Sequence, residues 1–181
     1  MGGGTALFGL LQGFRPAALV LVDIAPNAAR EGMEHVVTFM RSGLAGFASI
    51  EEAADAVAAY LPHRPRPRDL DGLRKNLRSG PDGRWRWHWD PGMVANGDID
   101  AERAIMMRSF DILATTDVPL LLVRGMLSDV VTDETVREFR VRVPALEVLE
   151  IHGAAHMVAG DKNDVFSDGI QTFLARCMPS R

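Results

Sequence analysis

The sequence predicts an α/β fold with a parallel core sheet, and three apolar runs carry that expectation. Ala18 to Val22, Pro119 to Arg124 and Leu146 to Ile151 are each strand-length, rich in Leu and Val, and followed closely by a polar residue or a glycine. Short runs of this kind mark strands buried on both faces, as parallel strands are. Segments with helical spacing separate them, as crossovers between parallel strands require.

Taken in order, Gly2 to Gln12 places Ala6, Leu7, Leu10 and Leu11 at helical spacing, with Gly13 positioned to end the helix. The alternative for this glycine-rich start is a flexible tail. After the strand Ala18–Val22 and Asp23, a long insertion runs to Pro119, more than a crossover needs, so it is expected to form a layer of its own. Within it, Met33, Val36, Val37 and Met40 mark one helix. Ser49 and Glu52 form a capping-box pattern opening a second, which runs to Leu61 before Pro62. Leu70, Leu73 and Leu77 suggest a third, and Ile105, Ile112 and Leu113 a fourth. Arg84 to Trp89 alternates with period two, which puts Trp85, Trp87 and Trp89 on one face if the stretch is extended. Aromatics interleaved with arginines can stack on single-stranded nucleic acid, but the patch is short and the chain acidic. A helix with Val136, Phe139 and Val143 begins at Asp133, and a final amphipathic helix carries Val165, Phe166, Phe173 and Leu174.

Two of the strands hand a polar residue to a loop. Asp129 follows Gly125 in the loop Met126-Leu127-Ser128-Asp129, and His156 follows the strand closed by Gly153. Ligands of parallel sheets bind beyond the carboxyl ends of the strands, where two such side chains can converge. A carboxylate that accepts the Nδ1 proton of an imidazole fixes its tautomer and leaves Nε2 to take a proton from a nucleophile. Taken singly, Asp129 reads as a turn residue and His156 as a solvated ring.

Together these pieces resemble the α/β-hydrolase family over almost the whole chain. The resemblance rests on Leu19 to Pro26, on Leu121 to Gly125 with Ser128-Asp129, and on Gly153 to Met157. It implies a partial α/β-hydrolase fold with three parallel core strands, flanking helices and an inserted helical lid. It divides the chain into an elbow helix and first core strand over 1–26, a lid over 27–117, and the last strands, acid and histidine loops and final helix over 118–181. In its terms Asp129 is the triad acid and His156 the base, with Asp23 the reserve acid, since some members carry the acid after the earlier strand. The opening Met1-Gly2-Gly3 is similar to the residues after the serine of a G-x-S-x-G elbow, so the nucleophile is expected just before Met1 and the Met1 backbone N–H in the oxyanion hole. Trp85, Trp87, Met93 and Met157 are expected to line the substrate pocket. The implied chemistry is hydrolysis of an ester, or of a related carbonyl or C–C bond; the alternative is a non-catalytic remnant or interaction module of the same fold.

With 181 residues, 47% of them hydrophobic and 24% charged, the chain can bury one core. A net charge of -4 and a pI near 5.7 give no general attraction to nucleic acid or acidic membranes. Cys177 is the only cysteine, which excludes an internal disulfide and a thiolate cluster. No apolar run approaches the roughly 20 residues of a membrane span. A soluble cytoplasmic protein acting on a small molecule, with neither metal nor cofactor, is expected. The strand at 18–22 has no proline, lysine or other charge to protect an open edge, so a homodimer through it is a further expectation.

Overall fold

The computed structural model describes residues 2–66, 68–95 and 97–178. In chain order its elements are α1 (Gly2–Leu11), β1 (Leu19–Val22), α2 (Arg30–Ser42), α3 (Ile50–Tyr60), α4 (Asp71–Arg74), β2 (Leu77–Ser79), β3 (Trp85–Trp87), α5 (Gly92–Ala95), α6 (Ile99–Met107), α7 (Ser109–Leu113), β4 (Leu120–Gly125), α8 (Asp133–Arg142), β5 (Glu147–Ile151), α9 (Val158–Asp161) and α10 (Asn163–Cys177). They fall into two compact units, Met1–Met33 with Asp98–Arg181, and Glu34–Gly97. The second is narrower than the expected 27–117. Residues 27–33 and 98–117 stay with the first unit: Asn27 Nδ2 donates to Thr135 O at 3.1 Å and Ala29 N to Val130 O at 2.9 Å, while Arg103 Nε on the Ala28 carbonyl and Arg30 Nε on Asp100 Oδ1, both at 2.9 Å, join the two segments to each other.

The first unit is a three-stranded parallel sheet in the order β1-β4-β5. Leu19 lies opposite Leu120 and Val22 opposite Val123, while Leu121 pairs with Glu147 and Gly125 with Ile151. Strand alternation sorts the side chains onto two faces. Leu121, Val123 and Ile151 form one core with Ala154, Val158 and Phe173, against which Val20, Leu149 and the α10 residues Phe166, Ile170 and Leu174 pack. On the other face lie Leu21 and Leu122, fully buried, and Arg124. There α1 approaches closely: a Cβ on Gly3 would sit 2.2 Å from Ile24 Cγ2, so the glycine-rich start is a helix held against the chain leaving β1. Phe110 of α7 and Phe139 of α8 meet edge to face at 5.2 Å. Arg124, only 2% exposed, pairs with Asp133 at the start of α8 and with Glu150 Oε1 at 3.4 Å.

The second unit is held by aromatic packing. Phe47, Ala53, Leu77 and Trp87 are its buried centre, with Phe39, Trp85 and Trp89 packed against them. The cap of α3 uses the two residues the sequence predicts, with the return bond shifted by one: Ser49 Oγ accepts from Glu52 N at 3.2 Å, while Glu52 Oε2 accepts from Ala48 N, one residue ahead of the cap. The third helix is a correction. Its leucine spacing yields only the single turn α4, and Leu77 starts β2, which pairs antiparallel with β3 and sets Leu77 opposite Trp87. In the turn of that hairpin the Arg86 guanidinium holds the Asp82 carboxyl well below the usual carboxylate range.

Candidate active site at the strand ends

β1 ends at Val22, and Asp23 follows with φ 48°, a left-handed conformation that few residues besides glycine adopt readily; Asp and Asn tolerate it best. Its N–H still donates to Val123 O at 2.7 Å, as a continuing parallel ladder requires. The next acceptor in that ladder would be the Asp23 carbonyl. Instead the side chain takes over, and Gly125 N donates to Asp23 Oδ1 at 3.2 Å. The strained residue thus places its carboxylate at the end of the sheet, wholly buried, between β1 and β4.

The second carboxylate oxygen meets the histidine. His156 Nδ1 lies 2.9 Å from Asp23 Oδ2, with the imidazole 29% exposed and the carboxylate 0%. A buried carboxylate oxygen is an acceptor, so the ring donates Nδ1–H and presents Nε2 as a base. Ser128 Oγ donates to the same Oδ2 at 2.5 Å. The loop between β4 and α8 is pinned to the histidine loop by Met126 N to Ile151 O at 3.1 Å and Leu127 N to Ala154 O at 2.9 Å. Gly125 has no room for a side chain, since a Cβ there would lie 2.4 Å from both Ala154 O and Ala155 O.

The expected pairing of Asp129 with His156 is therefore corrected. The carboxylate on the ring belongs to Asp23, the reserve acid, and Asp129 is exposed one residue beyond the serine that touches the site. The physical reason is the turn Gly125–Ser128, closed by Ser128 N to Gly125 O at 3.0 Å, which brings residue 128 rather than 129 to the strand end. Ser128 is the residue that sequence reasoning missed; the signal was its place in the same short loop.

Of the expected pocket residues, Met157 is 49% exposed beside His156. Trp87 is 8% exposed in the core of the second unit, edge to face with Phe47 and stacked on Trp89 at 4.9 Å, and it borders a small cavity with Leu44, Trp89 and Pro91. Trp85 packs against that same core beneath the Arg74 guanidinium, and Met93 is half-buried on α5. The Met1 backbone, expected in an oxyanion hole, lies outside the described residues. Among the described residues no three His, Cys, Asp or Glu side chains form a group able to hold a metal, and no helix is long and apolar enough to cross a membrane.

Comparison with known proteins agrees with this architecture. The structure superposes on E-2-(acetamidomethylene)succinate hydrolase with TM-score 0.67 at 21% identity, covering 94% of this chain and 61% of that one. An α/β hydrolase of Novosphingobium aromaticivorans gives TM-score 0.66 at 25% identity, over 96% of this chain and 62% of the other. In sequence, 151 residues are 29% identical to the 3-hydroxybutyrate-oligomer hydrolase of Cupriavidus necator, covering 76% of this chain and 50% of that protein. The esterase Rv0045c of Mycobacterium tuberculosis is 28% identical over 154 residues, 80% of this chain and 48% of that protein. This chain has the fold of the α/β hydrolases. No protein-family model matches it. The chain spans about half the length of the curated relatives it matches, and its three parallel strands correspond to part of the α/β-hydrolase sheet.

Proposed function

We propose that this chain supplies the acid and base of a serine-type hydrolase acting on an ester, or on a related carbonyl or C–C bond. The buried Asp23 carboxylate on His156 Nδ1 is the observation that carries the reading. Ester hydrolases among the relatives of similar sequence favour the ester. In this reaction His156 Nε2 takes the proton of a serine hydroxyl as the oxygen attacks the carbonyl. Asp23 stabilises the imidazolium, which then protonates the leaving alkoxide. His156 next takes a proton from water as the hydroxide attacks the acyl carbon, and the imidazolium returns that proton to the departing serine oxygen, releasing the acid. Exposed apolar side chains flank the histidine in the two loops that hydrogen-bond to each other: Met126 at 40% exposure, Leu127 at 56% and Met157 at 49%. They offer contact to an acyl chain.

Four of the described serines are hydrogen-bonded elsewhere, and none of the six stands on a G-x-S-x-G elbow. Ser128 serves Asp23, Ser42 Oγ donates to Phe39 O, Ser49 caps α3, and Ser109 is buried with Oγ on Met106 O. Ser79 lies on β2 and Ser167 within α10, and Ser180 is outside the described residues. The nucleophile of this reading is therefore sought on a G-x-S-x-G elbow ahead of Met1. Fluorophosphonate labelling tests it. Residues 1–181 alone should stay unlabelled, whereas the chain preceded by an elbow-bearing segment should label once and hydrolyse p-nitrophenyl butyrate. In that longer protein His156→Ala should lower kcat by about 10³- to 10⁴-fold or more. Labelling of any serine within 1–181, or full activity without His156, would refute the assignment. An elbow-bearing protein that neither labels nor turns over ester would favour a non-catalytic interaction module.

The partner reading concerns β1, which pairs only with β4 among the described residues, leaving its other edge open. A second copy is expected to pair there across a two-fold axis, because no charge interrupts Leu19–Val22. Light scattering of the chain should show a concentration-dependent dimer, weakened by Val22→Lys. A concentration-independent monomer with slowly exchanging β1 amides would rule it out.

A further inference from the structure

We propose that Ser128 is a positioning residue for His156, acting through Asp23; the proposal rests on the reading that this pair serves a hydrolytic site. The torsion that turns a carboxylate about its own Cβ–Cγ bond is soft, so burial alone does not aim Asp23. Its two oxygens are held separately. Oδ1 takes the Gly125 N–H at 3.2 Å, and Oδ2 is shared between Ser128 Oγ at 2.5 Å and His156 Nδ1 at 2.9 Å. With one lone pair of Oδ2 on the hydroxyl and the other on the ring, the carboxylate plane and the imidazole are fixed together.

The direction of the hydroxyl is itself determined. Ser128 Oγ accepts from Val130 N at 3.1 Å and Val131 N at 3.3 Å, which fills both acceptor positions and leaves its single proton for Oδ2. Rigid backbone thus holds Ser128, Ser128 holds Asp23, and Asp23 holds the ring. The hydroxyl is also one of three donors to a carboxylate with no exposure to water. A group so buried depends on its donors to remain aimed. The same bonds commit Ser128 away from nucleophilic attack.

Proton and nitrogen resonances of His156 in the 15N-labelled chain read this directly, without any nucleophile. The parent should show a single Nδ1–H tautomer with a low-field proton. Ser128→Ala should broaden or shift that proton upfield and mix the tautomers, and Ser128→Thr, which keeps the hydroxyl, should restore it. Ser128→Cys keeps the volume but donates only weakly, so it provides the same reading if the alanine variant folds poorly: it should show the altered resonance. In the elbow-bearing protein Ser128→Ala should lower kcat on the order of tenfold with KM changed less than about twofold. A wild-type His156 spectrum in both the alanine and cysteine variants, or failure of threonine to restore it, overturns the role of Ser128 even if His156→Ala abolishes hydrolysis. Hydrolysis that survives His156→Ala overturns the functional reading instead, and leaves the spectroscopic outcome for Ser128 as it stands.

Discussion

Asp23→Asn is expected to lower kcat of the elbow-bearing protein by about 10⁴-fold, and Asp129→Asn by less than about threefold. Asparagine has the size of aspartate and tolerates a left-handed backbone, so φ 48° at residue 23 carries little extra cost in the variant. Its amide oxygen can still accept from Gly125. What is lost is the charge, and with it the discrimination between tautomers: the amide NH2 can donate to an unprotonated Nδ1 and so stabilise the ring that carries its proton on Nε2. That ring cannot serve as a base. Asp129 is exposed and lies beyond the turn that delivers Ser128, so its amide leaves the Asp23–His156 pair untouched. Steady-state kinetics of the two variants side by side decide between the carboxylates. Equal losses, or a larger one at Asp129, would return the acid to the later loop.

That contest shows where the sequence was readable. The three strands were legible because each is an apolar run with a stop, and the starts of α3 and α8 because Ser49 and the acidic opening at Asp133 are local chemistry. The acid was not legible, since Asp23 and Asp129 both stand just past parallel strands. Two backbone facts separate them: a positive φ at residue 23, and a turn that ends one residue before Asp129. Neither is encoded in residue type at those positions. The leucines at 70, 73 and 77 fit a helix equally well, and only pairing with Trp87, ten residues further on, makes Leu77 a strand residue. The tryptophan alternation fits extended chain, which β3 is over Trp85–Trp87, but its destination depends on distant partners. Phe39 and Phe47 cover Trp87, which makes it core.

Gly125→Ala should damage both stability and site, because the end of β4 has no space for even one carbon. The missing Cβ would lie 2.4 Å from the carbonyl oxygens of Ala154 and Ala155 and 2.7 Å from Ala154 C. These are backbone atoms, which cannot turn aside as a side chain can. The loop that carries His156 must therefore move as a body, and it is tied to the same turn through Met126 N to Ile151 O and Leu127 N to Ala154 O. Overpacking of this kind costs about 1–3 kcal/mol. The Gly125 N–H also holds Asp23 Oδ1, so a shift of the strand end relaxes the carboxylate and the ring together. Gly4→Ala is the control. Nothing lies within 4 Å of the added carbon there, and inside α1 alanine should raise stability by about 0.5–1 kcal/mol. Denaturant unfolding of the two variants, with the low-field His156 proton followed in each, should show loss of both stability and resonance at 125 and neither at 4. A Gly125→Ala chain as stable as its parent, with the His156 proton in place, would mean that the histidine loop is not held by the end of β4.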